Sequence, residues 1–234
     1  MNRFKLYHCP GMRSARVKWL LHEIGEADFN TEIISIADAE QYTDRYLEIN
    51  PNHCVPTLEI YAPEGDFIRI SESGAIIVLL ADLFPEERLA PPPNDPRKRA
   101  DYMHMIHFCG ASMDMMLWQI RIHEHVLPHR ERDFRTVERY RRKFRNEVEP
   151  QLIRRLQDDG FASGPKFSAA DCMLGFSIRW ARAYQLCLDP VFEDYMSRME
   201  ARSAYGMAFA DLANLKERSL EIPQNAAVVE LFTG

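Results

Sequence analysis

Residues 3–25 read "RFKLYHCPGMRSARVKWLLHEIG", a β-rich run, a Pro-Gly turn and an amphipathic helix in immediate succession. Val17, Leu20, Leu21 and Ile24 recur at i, i+3, i+4 and i+7, and Gly25 stops the helix. The fold therefore begins β then α. The turn also raises a chemical question, because Cys9, Arg13 and Ser14 crowd the place where the helix starts. Helix N-termini attract anions and lower thiol pKa values, and the two properties imply different chemistry.

Working outward, "TEIISI" (31–36) reads as a second strand and "TDRYLEIN" (43–50) as a short polar helix. "TLEIYA" (57–62) and "FIRIS" (67–71) form a strand pair around the turn "PEGD". "SGAIIVLLADLF" (73–84) is an apolar helix ending at Pro85. The order is βαβαββα over residues 1–85, the length of one small α/β domain. "PEERLAPPPNDPRK" follows, with five prolines in fourteen residues, and places a linker at 86–94. Beyond it the β signals stop. Helical patterns at 99–118, 134–157, 169–186 and 195–212 predict an all-α domain over 95–234. "KFSAADC" offers Ser168 as N-cap and Asp171 as its reciprocal partner, with Phe167 and Cys172 at the staple positions.

The 234 residues, 46% hydrophobic and 27% charged, suffice for a real core. A net charge of −6 argues against a nucleic-acid footprint or an anionic membrane surface. The N-terminus lacks a signal-peptide pattern, and no stretch reaches the ~20 apolar residues of a membrane span, which gives a cytoplasmic expectation. Five cysteines with no CxxC pair argue against a disulfide framework and against zinc. His104 with His107, and His123 with His125 and His129, lack completing ligands, so no metal is expected. The Arg-rich run 130–155 carries interleaved carboxylates and a buried stripe of Phe134, Val137, Phe144 and Val148, the pattern of a salt-laced helix.

Two further stretches bear on ligands. In "INPNHCVPTLEI" Val55-Pro56 precedes a strand, where a cis bond would present Val55 as an extended edge able to pair with a peptide-like ligand. An ordinary strand-entry proline reads the same way. In "ISESGAII" the Ser73 hydroxyl and the first-turn N–H groups suit a carboxylate and Glu72 suits an ammonium, although "SES" is also simply a good N-cap.

Taken together, "LYHCPGMRSARVKWLLHEIG", "INPNHCVPTLEI", "ISESGAIIVLLADLF" and "FSAADCMLGF" resemble the soluble glutathione transferases of bacterial type, over nearly the whole chain. The resemblance implies a thioredoxin-like N-terminal domain, an all-helical C-terminal domain, a homodimer and a role in detoxification. Glutathione, as co-substrate, would pair with Val55 beside cis-Pro56, place its γ-glutamyl head on Glu72 and Ser73, and bring its glycyl end to His53. A small hydrophobic electrophile would be the second substrate, with Met12, Met115, Trp118 and Trp180 as pocket residues.

Relatives with this turn usually bring a Ser or Cys, one or two residues after the Gly, to the sulfur. Met12 and Arg13 stand there instead. Ser14 is the nearest hydroxyl and matches a subset with "RSxRV", so sulfur activation would pass to Ser14, with Arg13 adding Coulomb attraction. Cys9 is the alternative, as in glutaredoxin-type CPxx motifs, and would make the protein a glutathione-dependent thiol–disulfide oxidoreductase or peroxidase. A third reading is a non-catalytic binding protein that keeps the fold.

Overall fold

The protein's structure, a computed structural model, describes residues 3–25 and 29–212. Its first elements are β1 (Phe4–His8), α1 (Ser14–Glu23), β2 (Phe29–Ile33), α2 (Asp44–Leu47), β3 (Thr57–Tyr61), β4 (Phe67–Ser71) and α3 (Ser73–Leu83). Helices follow: α4 (Pro96–His107), α5 (Asp114–Arg121), α6 (Phe134–Lys143), α7 (Glu149–Asp158), α8 (Ala169–Arg182), α9 (Pro190–Glu200) and α10 (Ser203–Phe209). The chain is a thioredoxin-like βαβαββα domain followed by helices. The second strand lies two residues earlier than the sequence pattern indicates. Its pairing is set by β1, which it meets from Phe4↔Phe29 to His8↔Ile33, so Ile34 becomes the residue after the strand and donates its N–H to the His8 carbonyl.

The four strands run in the order β2-β1-β3-β4. β1 is parallel to β2 and antiparallel to β3, and β3 is antiparallel to β4. Alternation along β1 divides the sheet into two faces. Tyr7 packs with Cys9, Ile34, Tyr46 and Val55 on the α2 side, and Met12 rests against that cluster. Phe4, Leu6 and His8 point the other way and are wholly buried, with Leu58 and Ile60 in register beside Leu6 and Phe4. Buried Val17, Leu20 and Leu21 form the matching stripe on α1.

Chain contacts divide the described residues into two units, one holding those up to Glu87 together with 202–212, the other Arg88–Ala201. The described end of the chain thus joins the first unit, where the sequence reading had placed 95–234 in one helical domain. The cause is aromatic. Trp19 of α1 is fully buried, and α10 covers it with Tyr205, edge-on at 5.0 Å, and Phe209 at 6.2 Å. Arg202 then clamps Glu23 with two 2.6 Å bonds, and the Trp19 indole N–H donates to the same carboxylate.

In the second unit α8 is the buried centre, with every residue from Ala169 to Ile178 inside. π-helical turns at Phe108–Met113, Ile122–Val126 and Phe144–Val148 interrupt the long helices. The last precedes Pro150, which has no N–H for the helical ladder and crowds the carbonyl four residues back. Phe134, expected in the buried stripe, is exposed at the first position of α6, while Val137, Phe144 and Val148 are buried.

The start of α8 carries the expected capping box. Its Asp171 does more than cap. The fully buried carboxylate accepts from the N–H groups of Ala162 and Ser168 and from the hydroxyls of Ser168 and Tyr195. Leu89, from the linker, accepts the Ala169 N–H and satisfies another orphan donor. Burial still pushes the Asp171 carboxyl up to about 6. An N-cap alone is worth ~1 kcal/mol, but Asp171→Ala strands two N–H groups and a phenol in the core and is expected to cost about 3–5 kcal/mol. Tyr195→Phe, which removes a single donor, is expected to cost only about 1 kcal/mol. Urea unfolding of both variants checks the ordering.

Candidate functional site

Cys9-Pro10-Gly11-Met12 forms a tight turn closed by the Met12 N–H on the Cys9 carbonyl, 3.1 Å, with Gly11 at φ +74°. That left-handed position is one glycine adopts without steric cost, so the Pro-Gly pair has a mechanical reason to be there. The turn delivers Arg13 to the N-cap of α1 and Ser14 to its first position. Arg13 and Met12 are half-exposed.

Ser14 departs from its expected role. It is 0% exposed, and its Oγ lies 2.8 Å from His8 Nδ1, 3.1 Å from the Cys9 N–H and 3.2 Å from the Cys9 carbonyl. The hydroxyl is committed to the strand–helix junction, and no surface of it is left for a sulfur. Cys9 is buried too, at 6% exposure, among Tyr7, Ile34, Tyr46 and Val55. Neither nucleophile-activating candidate faces solvent. Arg13 does.

The 50–56 loop is tightly held. Buried Asn50 donates to the Cys54 carbonyl and so does the Tyr46 hydroxyl, each at 2.8 Å, while the Asn52 N–H returns to Asn50 Oδ1. Val55-Pro56 is cis, as expected. His53 sits at φ +44°, exposed, with its ring 4.8 Å from Tyr42.

At the start of α3, Ser73 is 7% exposed and accepts a 3.2 Å bond from Arg16 Nη1. Arg16 itself is fully buried on α1, and sequence reasoning missed it. The available signal was an arginine one residue before Val17, inside the apolar arc of the helix. Glu72, the N-cap of α3, is exposed and held at φ +68°, ψ 111°. Such a backbone costs a non-glycine residue about 1–3 kcal/mol. The strained position carries an exposed carboxylate.

The sheet register brings these pieces to one end, since Tyr7 of β1 and Ser71 of β4 both stand opposite Thr57, two residues after Val55; Cys54 lies in the loop just before. It is the exposed cysteine, and its thiol feels both the Glu72 carboxylate and the Arg13 guanidinium. The thiol is nonetheless partly shielded from water, and that shielding, with Glu72 adding to it, pushes it up. Arg13, Cys54 and Glu72 thus lie toward the end of the sheet where Val55-Pro56 leads into β3, and Ser73 follows Glu72 there. Sequence reasoning singled out all of these except Cys54.

The expected second-substrate residues are distributed over both units. Met12 belongs to the first; Met115 and Trp118, partly exposed and three residues apart on α5, and half-buried Trp180 on α8 belong to the second. The neighbouring Met113 and Met116 are core. Among the described residues no group of three His, Cys, Asp or Glu side chains comes together to hold a metal, and no helix is long and apolar enough to cross a membrane.

This is a thioredoxin-like domain in which the Arg13 turn, the cis-Pro loop and the start of α3 lie at one end of the sheet, continued by a helical unit. Residues 2–82 match the family model of the glutathione S-transferase N-terminal domain. The glutathione S-transferase GstA of Escherichia coli O157:H7 is 27% identical over 204 residues, covering 85% of this chain and 93% of the relative. An uncharacterised GST-like protein of Streptococcus mutans is 38% identical over 76 residues, 32% of this chain and 28% of the relative's length, so the chain spans well under two thirds of that protein. A glutathione transferase from Burkholderia graminis, whose structure holds two glutathione molecules per subunit, has the same fold at 21% identity and TM-score 0.78, covering 89% of this chain and 88% of that one. The chain thus carries a glutathione S-transferase N-terminal domain over residues 2–82 and shares its overall fold with the Burkholderia graminis protein.

Replacing Glu72 by glycine removes the strain and adds roughly 0.5–1 kcal/mol of unfolded-state entropy. Glu72→Gly is thus expected to gain about 1 kcal/mol of ligand-free stability while losing the carboxylate. Thermal unfolding reads the gain; a clear loss of stability would show that Glu72 serves the fold.

Proposed function

We propose that the protein binds glutathione along the first unit and transfers its thiolate to a small hydrophobic electrophile. The meeting of the Arg13 turn, Val55 and the pair Glu72-Ser73 at one end of the sheet carries this reading. Glu72 takes the ligand's ammonium, and Ser73 with the first-turn N–H groups of α3 takes the adjacent carboxylate. Val55 pairs with the cysteinyl backbone, and His53 meets the glycyl end. The sulfur then lies toward the start of α1, where Arg13 and the helix N-terminus favour the thiolate. Ser14 acts from beneath, by holding that turn. Met12 borders the electrophile on the first unit, and Met115, Trp118 and Trp180 give the second unit apolar surface of its own; the functional form is a homodimer in the cytoplasm. The glutathione held by the Burkholderia graminis protein supports the ligand class.

Thiol–disulfide exchange is the second reading, and exposed Cys54 is the observation that favours it. Against it, the raised thiol stays protonated at neutral pH and is a poor nucleophile.

Calorimetric titration with reduced glutathione should show binding, weakened about tenfold or more in Glu72→Gln and in Ser73→Ala, since each deletes a charge-assisted contact. Conjugation to a generic aryl halide should fall in Arg13→Ala and persist in Cys9→Ala and Cys54→Ala. If the wild type reduces a mixed disulfide and Cys54→Ala abolishes it, the exchange reading wins. Binding without either activity leaves the protein a glutathione carrier.

A further inference from the structure

One buried cluster has no part in the ligand contacts proposed above. His8 is 0% exposed, and its Nε2 lies 3.0 Å from Oδ2 of Asp211, which follows α10. Lys18, one helical turn beyond Ser14 on α1, donates to the same oxygen at 2.6 Å. On the other side of the ring, Nδ1 meets Ser14 Oγ, which in turn takes the Cys9 N–H. A continuous hydrogen-bonded chain therefore runs from Asp211 through His8 and Ser14 to the backbone of Cys9, the first residue of the Cys9–Met12 turn.

We infer that Asp211 is a positioning residue: by fixing the tautomer of His8 it sets the direction of the Ser14 hydroxyl and with it the shape of the turn that presents Arg13. The catalytic consequence rests on the glutathione reading; the tautomer does not.

The proton count makes the inference specific. Burial lowers the His8 pKa, so the ring is neutral at neutral pH and carries a single N–H. Bonds from His8 and Lys18 hold the Asp211 carboxyl down, at about 2, so it is ionised and only accepts. The His8 proton therefore resides on Nε2. Nδ1 is left as an acceptor, the Ser14 hydroxyl donates to it, and the Ser14 lone pairs face the Cys9 N–H. An amide at position 211 reverses the order: its N–H group can donate to Nε2, the ring proton moves to Nδ1 and donates to Ser14, and the hydroxyl swings to the Cys9 carbonyl that also closes the turn. His8 is a strand residue with no direct approach to the cleft, so its effect on chemistry travels only through Ser14 and the turn.

Nitrogen NMR of the His8 ring in the full chain reads the tautomer directly. The wild type should show Nε2–H, Asp211→Asn should move it toward Nδ1–H, Asp211→Glu should restore Nε2–H, and Lys18→Met should leave it unchanged. In Asp211→Asn the Cys9 amide should exchange about tenfold faster or more. With an aryl halide, kcat should fall about tenfold while KM for glutathione, carried by Glu72 and Ser73, changes less than about twofold. An Nδ1–H ring in the wild type overturns the inference even if the variant fails to fold, and so does Asp211→Asn with unaltered tautomer, exchange and kcat. No calorimetric heat with reduced glutathione in the wild type instead overturns the proposed function, and the tautomer and exchange data still decide the role of Asp211.

Discussion

A polar group sealed away from water has to be paired, and helix α1 is placed by that requirement. Its apolar stripe binds it to the sheet but leaves it free to slide or rotate by small amounts, because hydrophobic contact is non-directional. Its polar residues are not so free. Ser14 is tied to β1 through His8 and Cys9, Arg16 to the start of α3 through Ser73, Lys18 to the chain after α10 through Asp211, and Glu23 to α10 through Arg202. Each bond has a length and a direction, and they are distributed from the first turn of the helix to its last. Losing a partner costs the full desolvation of the group left behind, so the register of α1 is fixed more sharply than packing alone would fix it.

Those pins also explain how the cleft is assembled. Arg13, the 53–56 loop and the pair Glu72-Ser73 come from three separated segments, and none touches another along the chain. β1 and β3 are antiparallel neighbours at the centre of the sheet, with Tyr7 opposite Thr57, which brings the first two to one end. Pairing of Ser71 with Thr57 brings the third to the same end, and the Arg16–Ser73 bond ties it to α1. A side chain that contacts no ligand in the proposed reading thus couples the sulfur end of the cleft to the γ-glutamyl end.

Much of this was legible in the sequence, and the misses are instructive. Periodicity found α1 and α3, turn chemistry found the Pro-Gly corner, and the Ser168–Asp171 spacing found the cap of α8, because each is a local signal with a local cause. The position of Ser14 was read by counting from the turn, which gives proximity but not direction. Its own periodicity held the answer: it stands seven residues, two helical turns, before buried Leu21 and so shares the inward face. The allegiance of α10 was less accessible. Trp19 lies in the buried arc of α1, but nothing in a one-dimensional pattern says which distant segment covers an indole. Arg16 and Asp211 were missed for the same reason, since a buried charge looks like a surface charge until its partner is known.

With Ser14 withdrawn from the cleft, the energetics of activation change. Lowering a thiol pKa by two units takes about 2.7 kcal/mol, and a helix N-terminus supplies ~0.3–1 kcal/mol. Arg13 has to contribute most of the rest, and a solvated guanidinium is worth ~0–1 kcal/mol to a nearby anion. The same pair drawn out of water interacts several times more strongly, because attraction at fixed distance scales inversely with the local dielectric. Under the proposed reading the tripeptide does this itself: lying between Arg13 and Glu72, it displaces water from the guanidinium and strengthens the field at its own sulfur. Thiol ionisation then depends on how completely the ligand covers Arg13, so glutathione analogues shortened at either end lose reactivity as well as affinity, although the removed atoms are far from the bond being made.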